Sequence, residues 1–167
     1  VIDNASTDKT VVELEKFSKK CTIFYNDNNM GFAFAHNMII RKSFATLSCI
    51  LHNDIVLVDG WLEKIVNKIL SDSKIGIVSV VNDIYGTFNK GYELKQDGNF
   101  EYVDIESEDQ KVDFINSSCI LIRNNVFKKI GVFDEKYVLG FMSDADFCIK
   151  AKEAGFENLK GHRTVGG

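Results

Sequence analysis

Apolar and polar residues divide the first half of the chain into short strands that alternate with helices. Apolar or β-branched runs typical of strands occupy residues 1–2, 21–25, 47–51 and 75–81. Between them, apolar residues recur at helical spacing after the capping residues 6–8, over 31–44 and after Asp59, which is expected to cap the third helix. The alternation predicts an α/β fold in which helices cover both faces of a mixed, mostly parallel sheet.

The second half interrupts this alternation at residues 82–113, which are polar, aromatic and punctuated by glycine. Within them, residues 92–94 and 100–103 predict a hairpin around Asp97-Gly98. The elements expected next are a strand over 114–122, a helix over 125–130 and a helix that Asp144 or a neighbour caps and Gly155 ends. We expect one domain, residues 1–167, with no repeat and no linker.

Composition excludes several classes of protein. The net charge of -4 gives no sign of wholesale nucleic-acid binding. No apolar run approaches the ~18 residues of a membrane span. Four widely separated cysteines, of which none forms a CxxC pair, indicate reduced and mostly buried thiols of a cytosolic protein. The chain opens on Val1 within an apparent strand, so we expect it to be a piece of a longer protein.

Carboxylates cluster at three separate places in the chain. They are Asp3, Asp54 and the pair Asp144 and Asp146, and each follows an apolar run or lies in a loop-like stretch. In open α/β sheets, ligands bind outside the carboxyl ends of the strands, so these acids are expected to meet in one cleft. Such a cleft suits a divalent cation and a general base.

Each cluster also has a purely structural interpretation. Asp3 belongs either to a turn with good capping chemistry or to a contact with a nucleotide base. Asp54 is either a metal ligand at a strand end or the N-cap of a helix. Asp144 and Asp146 either complement a helix dipole or divide the work, because residues two apart on a helix do not share a face.

Two histidines and one glycine leave similar alternatives. His36 lies in a helical stretch beside Phe34, which favours a packed structural histidine. His162 is a third metal ligand, a phosphate contact or a solvated residue near the chain end. Gly31 permits a tight turn into a helix, which by itself is only a weak sign of a phosphate-binding loop.

In combination, these residues resemble family 2 glycosyltransferases, especially the bacterial rhamnosyltransferase-like branch. The resemblance covers residues 1 to about 156. It rests on Ile-Asp-Asn-Ala-Ser-Thr-Asp-Lys-Thr at 2–10, Asn-Met-Gly-Phe-Ala at 29–33 with Asn37, His-Asn-Asp at 52–54 followed by Gly-Trp-Leu at 60–62, Gly-Val-Phe-Asp-Glu at 131–135 and Ser-Asp-Ala-Asp at 143–146. Each motif alone is common, whereas the ordered set is specific.

The resemblance implies a GT-A fold, a mixed nucleotide-binding α/β sheet, and a set of site residues. Asp3 would contact the uracil or thymine of a UDP- or dTDP-linked sugar, and Asp144 would deprotonate the acceptor hydroxyl, with inversion at the anomeric carbon. Asp54, with His162, would hold Mn2+ or Mg2+ on the diphosphate. The remaining donor-binding residues would be Asn4, Gly31, Asn37 and Asn53.

The chain also departs from the family pattern. His52 replaces the first acid or amide of the metal motif, and Ser143 replaces the glutamate that usually precedes the base. The family's first strand would lie before Asp3, so we expect a domain without that strand and with an exposed sheet edge. Such an edge recruits other chains, which predicts self-association.

We therefore expect an inverting, metal-dependent transferase of the hexosyltransferase type that acts on a glycan or lipid-linked acceptor during cell-surface polysaccharide synthesis. The location expected is the cytoplasm, with peripheral association at the inner face of the membrane. The alternative is a degenerate, non-catalytic GT-A domain that binds a nucleotide-sugar or a protein partner. A nucleotidyltransferase with a similar sheet is a distant third possibility.

Overall fold

The computed structural model describes residues 1–57, 59–81, 90–104, 109–137 and 142–163, with the backbone alone at 81, 90 and 161–163. These residues form nine strands and five helices. In chain order they are β1 (Ile2–Asp3), α1 (Thr10–Glu15), β2 (Phe24–Tyr25), α2 (Gly31–Ile40), β3 (Leu47–Leu51), α3 (Trp61–Ser71), β4 (Ile75–Val81), β5 (Lys90–Leu94), β6 (Phe100–Asp104), β7 (Gln110–Val112), β8 (Cys119–Arg123), α4 (Asn124–Ile130), α5 (Ser143–Glu153) and β9 (Glu157–Arg163).

A mixed five-stranded sheet in the order β3-β8-β4-β9-β7 forms the centre of the molecule. Strands β4 and β9 pair in parallel, and the other three neighbouring pairs are antiparallel. As a result β3, β4 and β9 run in one direction, and β8 and β7 run in the other. The short strands β1 and β2 pair in parallel as a separate two-stranded sheet. The predicted α/β class with a mixed sheet is confirmed, but among the described pairs of this sheet antiparallel pairing outnumbers the mostly parallel pairing that was expected.

Apolar residues cover both faces of the central sheet. On one face, Ile65 and Ile69 of α3 pack on Val78, Leu121 and Leu159. On the other, the sheet residues Ile77 and Ile122 share a cluster with Phe133 and with residues of α4 and α5. The strand alternation sends successive residues of β8 to opposite faces, which explains why that strand is apolar throughout. The prediction of helices on both faces is confirmed.

Several boundaries differ from those expected. Helix α1 ends at Glu15 and buries no residue, and its Val12 is exposed. Phe17, expected on the same apolar face, lies beyond the helix and is also exposed. The strand expected over 114–122 is reduced to β8, since residues 113–118 form a loop whose Ile115 is fully buried. The expected hairpin is confirmed as the antiparallel pair β5 and β6.

The helix cap expected at Asp59 is wrong, and neither Asp144 nor a neighbouring side chain caps α5. Helix α3 begins after Gly60, which adopts a left-handed conformation with φ of +78°, and no side chain caps it. Helix α5 begins after Met142, so Asp144 lies inside its first turn. No helix in the described part of the chain is long and apolar enough to cross a membrane.

Candidate active site

The sheet topology gathers the ends of several elements at one edge. Strands β3, β4 and β9 finish at this edge, and β8, which runs the other way, starts there. Asp54 follows β3 in an exposed turn. The backbone N–H of His52 donates to the carbonyl of Ser118 at 2.9 Å, which fastens this turn to the loop before β8. His162 pairs with Val80 near the end of β9, and its side chain lies outside the described residues.

Asp144 is held by the same loop. Its Oδ2 accepts hydrogen bonds from the backbone N–H of Ser117 at 3.1 Å and from the Ser117 hydroxyl at 3.4 Å. Its Oδ1 accepts from the N–H of Ala145 at 3.0 Å. Burial raises the pKa of Asp144, against the lowering effect of these hydrogen bonds. A half-buried, oriented carboxylate with a raised pKa has the properties of a general base.

Asp146 has a different partner. Its carboxylate forms an ion pair with Lys150, one helical turn further on, at 2.6 Å. This hydrogen bond raises the pKa of Lys150. The two carboxylates of α5 therefore do different work, as their spacing predicted, and Asp144 is the one that contacts the loop before β8.

Asp3 lies at the end of β1 and is almost completely buried, with 4% of its surface exposed. Its Oδ2 accepts a hydrogen bond from the N–H of Ser6 at 3.1 Å, so it closes the turn that follows the strand. Ala5 within this turn has a φ of +68°, in the left-handed region that favours glycine. The turn interpretation of Asp3 thus describes its contacts in this structure.

Asn4 connects the end of β1 to the loop before α2. Its Nδ2 donates to Asn29 Oδ1 at 2.8 Å, and its Oδ1 accepts from the N–H of Met30 at 3.0 Å. Gly31, which follows this loop, has a φ of +78° and donates its N–H to Asn29 Oδ1 at 3.0 Å. Only glycine adopts that conformation readily, so the chain needs a glycine at this position to turn from the loop into α2.

Asn37 is fully buried and its amide is occupied. Its Nδ2 donates to the carbonyl of Phe133 at 2.8 Å and to Glu135 Oε1 at 2.9 Å. Its Oδ1 accepts from the N–H of Phe133 at 3.0 Å. The hydrogen bond from Asn37, assisted by Arg41, lowers the pKa of Glu135. Asn37 was expected to contact the nucleotide-sugar directly. This geometry does not favour that contact, because the amide of Asn37 joins α2 to the loop after α4.

Sequence reasoning missed this link. The partners of Asn37 are visible in the sequence as the Phe-Asp-Glu stretch at 133–135. Nothing in the sequence spacing, however, shows that the amide of Asn37 would bond to a backbone so far along the chain. The link matters because it fixes α2 against the segment that leads to α5. Phe133 in turn packs on Phe147 of α5, the helix that carries Asp144, with ring centroids 4.6 Å apart.

Two histidines, His36 and His52, contact the ring of Phe32. His36 has its Nδ1 at 2.8 Å from the carbonyl of Phe32, and burial lowers its pKa. It is a packed residue, as expected. His52 makes an edge contact with the Phe32 ring at 5.7 Å. Its buried Nε2 has no hydrogen-bond partner in the described part of the chain.

The oxygen atoms available at this edge of the sheet are of the kind that binds a hard cation. Asn53 and Asp54 are exposed and supply oxygen atoms at the end of β3. Mg2+ binds proteins through one or two carboxylates when substrate phosphates supply further oxygens. Within the described residues, no three His, Cys, Asp or Glu side chains lie close enough together to hold an ion on their own. The residues therefore fit a metal that is shared with a diphosphate.

Comparisons with known proteins agree with this architecture. The family model described as "Glycosyl transferase family 2" matches residues 1–131. An uncharacterized protein, y4gI of Sinorhizobium fredii, is 20% identical over 177 residues, which is 95% of this chain and 20% of that protein.

Solved glycosyltransferase structures share the fold. GalNAc-T7 with UDP, GalNAc and Mn2+ superposes with a TM-score of 0.77 at 14% identity, over 97% of this chain and 37% of that one. The mannosyltransferase PcManGT of Pyrobaculum calidifontis, in complex with GDP-Man and Mn2+, gives 0.66 at 16% identity, over 96% and 44%. TarS of S. aureus with UDP gives 0.66 at 16%, over 96% and 47%. The chain thus spans less than half the length of these proteins, and the GT-A fold is confirmed.

Proposed function

This chain belongs to glycosyl transferase family 2, and from that premise we propose that it transfers a sugar from a nucleotide-sugar to an acceptor hydroxyl with inversion. The observation that carries the proposal is Asp144. This carboxylate is held by Ser117 at the edge where β3 delivers Asp54, and burial raises its pKa. A base and a metal ligand at one edge of the sheet are the two groups that the reaction needs.

In the proposed mechanism, Asp144 accepts the proton of the acceptor hydroxyl as that oxygen attacks the anomeric carbon. Ser117 keeps the carboxylate oriented through its N–H and hydroxyl, which leaves further lone pairs for the acceptor. Asp54 and His162 would hold Mn2+ or Mg2+, which when bound would supply positive charge to balance the diphosphate of the leaving group. Inversion follows from a single displacement with the base opposite the leaving group.

The donor is proposed to lie over the β1 end of the molecule. Asp3, Asn4, Gly31 and Asn53 would form its contacts. The support is that the Asn4 side chain holds the end of β1 against the loop 26–31 through four hydrogen bonds. Such a cross-link pre-orders backbone groups before a ligand arrives, which lowers the entropy cost of binding. For Asn37 we propose an indirect part, through the position of α2.

The substrates and the cellular setting form a further part of the proposed function. We propose a UDP- or dTDP-linked hexose as donor, a glycan or lipid-linked acceptor, and a bacterial pathway of cell-surface polysaccharide synthesis in the rhamnosyltransferase-like branch. The similar structures with UDP and with GDP-Man support a nucleotide-sugar in general. We further propose work in the cytoplasm at the inner face of the membrane.

One observation favours a second function. His52 and Ser143 occupy positions where the family pattern has an acid or amide and a glutamate, and His52 Nε2 is buried without a partner among the described residues. A domain that binds nucleotide-sugars without turnover would tolerate both changes. Donor hydrolysis with Mn2+ present separates the two functions, because only an active enzyme releases nucleoside diphosphate.

The decisive experiment compares two substitutions in the same protein. Asp54→Ala should abolish the Mn2+-dependent part of UDP binding measured by calorimetry, and Asp144→Asn should retain it. Conversely, Asp144→Asn should lower transfer or donor hydrolysis by ~10²-fold or more, the usual scale for a positioned base. Equal UDP affinity with and without Mn2+ would remove the metal role, and near wild-type turnover in Asp144→Asn would remove the base.

Self-association through a sheet edge remains a separate proposal. Strands β3 and β7 are the edges of the five-stranded sheet, and in the described residues β1 pairs with β2 alone. Unpaired strand edges bind other chains. Sedimentation should therefore show a mass that rises with concentration, and a mass that stays at 18.8 kDa would contradict the proposal.

A further inference from the structure

One face of the β5–β6 hairpin is aromatic and the other is charged. Tyr92 lies opposite Tyr102, and Leu94 lies opposite Phe100, so these four side chains project from the same face. Glu93 and Glu101 lie opposite each other on the other face, where Lys95 contacts both carboxylates. The hairpin thus has a face suited to stacking and a face suited to water.

The aromatic face is only partly used by the core. Phe100 and Tyr92 both pack on Phe114, with ring centroids at 5.5 Å and 4.3 Å, and the second contact is stacked. Beyond them, the Tyr102 ring lies 4.9 Å from that of Tyr92 and keeps 63% of its surface exposed. The row of rings therefore begins inside the protein and ends in solvent.

The inner part of this row, Phe114 and Tyr92, is joined to the loop that holds the proposed base. The N–H groups of Asp113 and Phe114 donate to the carbonyl of Tyr92 at 2.9 Å and 3.2 Å, which fixes the hairpin to the loop before β8. Three residues after Phe114, Ser117 donates to Asp144. The short loop 113–117 therefore bonds to both the hairpin and the carboxylate of Asp144.

The electrostatics agree with this placement. Burial raises the pKa of Tyr92, as do the charge and the hydrogen bond of Tyr102 and, to a smaller extent, the negative charge of Asp144. The phenol of Tyr92 consequently stays protonated near neutral pH and remains a hydrogen-bond donor. The negative charge of Asp144 thus acts on the Tyr92 phenol, although the two groups do not form an ion pair.

We propose that Tyr92 and Tyr102 form an acceptor subsite, in which a pyranose ring of a glycan lies with its apolar face against the exposed tyrosine and directs a hydroxyl to Asp144. The inference rests on the proposed glycosyl transfer and names the residues that would hold its glycan acceptor. A sugar ring has one face of C–H groups and a rim of hydroxyls. It therefore matches an aromatic surface that is bordered by phenol groups and a carboxylate.

Other occupants fit the surface less well. A protein partner would need far more area than two tyrosine rings, because specific interfaces bury about 800 Å² on each side. A linear polyol has hydroxyls but no ring face, so it gains nothing from stacking. The base of the nucleotide is the remaining competitor, and the experiment separates it from the acceptor sugar.

The test uses saturation-transfer NMR on the whole protein with defined probes. These are methyl β-D-glucopyranoside, methyl β-D-galactopyranoside and methyl α-L-rhamnopyranoside, with ribitol as the acyclic control. Tyr102→Ala should weaken binding of the preferred pyranoside by about tenfold, the scale expected when an aromatic contact is lost. Tyr102→Phe retains the ring and should bind nearly as well as the wild type.

Phe44→Ala is the matched control, because Phe44 is an exposed aromatic residue outside the hairpin. It should leave pyranoside binding unchanged. In parallel, UDP affinity with Mn2+ reports on the proposed function and not on the subsite, so the two can fail separately. If UDP binds and no pyranoside shows a signal that depends on Tyr102, the acceptor subsite is refuted.

Two further results would also overturn the inference. Ribitol binding that falls equally in Tyr102→Ala would show that the ring face is irrelevant. Loss of UDP binding in Tyr102→Ala, with pyranoside binding intact, would assign the tyrosines to the nucleotide base. Binding of a pyranoside that depends on Tyr102 supports the subsite even if the protein does not turn over a donor.

Discussion

Residues 1–46 and residues 47–163 are held in place by different interactions. In the first region the buried residues are Asp3, Ala33, Ala35 and Asn37, and α1 buries none of its side chains. In the described part of the second region, apolar residues from strands and helices form two clusters on the faces of the sheet. Amide hydrogen bonds therefore organise the first region, whereas apolar burial organises the second.

The difference has a consequence for function. Hydrogen bonds orient groups accurately but add only about 1 kcal/mol each to stability, whereas a buried aliphatic side chain adds about 2 kcal/mol or more. The region proposed to bind the donor is thus ordered without being strongly stabilised, and regions of that kind open locally. The region that carries Asp144 has the rigid support that a base requires.

The largest expected effect comes from the apolar region. Ile122→Ala removes a fully buried side chain from the apolar cluster that the sheet shares with α4 and α5, and should lower the free energy of unfolding by about 2–5 kcal/mol. Val12→Ala in α1 is the control and should have almost no effect, because Val12 is exposed. Urea denaturation measures both. Equal effects would show that the two regions do not differ as described.

An intermediate effect is expected at the junction of the two regions. Asn37→Ala leaves the N–H and carbonyl of Phe133 without their partner and should lower stability by about 1–3 kcal/mol. Arg41→Ala breaks only an exposed ion pair with Glu135 and should change the free energy of unfolding by less than about 1 kcal/mol. Hydrogen exchange in α2 should accelerate in the first variant alone. Unchanged exchange in Asn37→Ala would mean that packing, and not this amide, holds α2.

The smallest effect concerns a buried charge in the apolar region. Lys160 is 2% exposed, and burial lowers its pKa to about 8 from an ordinary 10.5. Between these values the unfolded chain binds one more proton than the folded one, so this lysine makes the protein more stable as pH rises through that window. At neutral pH the charged form is penalised by burial.

Lys160→Met should therefore stabilise the protein at pH 7, by on the order of 1 kcal/mol, and should flatten its stability between pH 8 and 10.5. The exposed Lys64→Met is the control and should alter neither quantity. Thermal unfolding across this pH range measures the difference. A Lys160→Met protein that is less stable at pH 7 would indicate that the ammonium group makes a favourable contact that exceeds its burial penalty.

Local patterns predicted the elements whose partners lie nearby. Strands β3 and β4 and helix α3 have the expected apolar residues, and Asp97-Gly98 correctly marked the turn of the hairpin. Strand β9 was not expected, because Glu157–Arg163 has no apolar run. It forms because β4 and β7 supply hydrogen-bond partners on both sides, and only the assembled sheet supplies those.

The candidate site shows the same difference between local and long-range features. The sequence by itself determined that carboxylates follow strands, because residue type and strand position are local properties. Only the tertiary structure decided which of them receive partners: Asp144 is held by Ser117, Asp146 pairs with Lys150, and Asn37 is buried against Phe133. The physical reason is that burial, hydrogen bonding and pKa depend on atoms brought from distant parts of the chain, which no local pattern encodes.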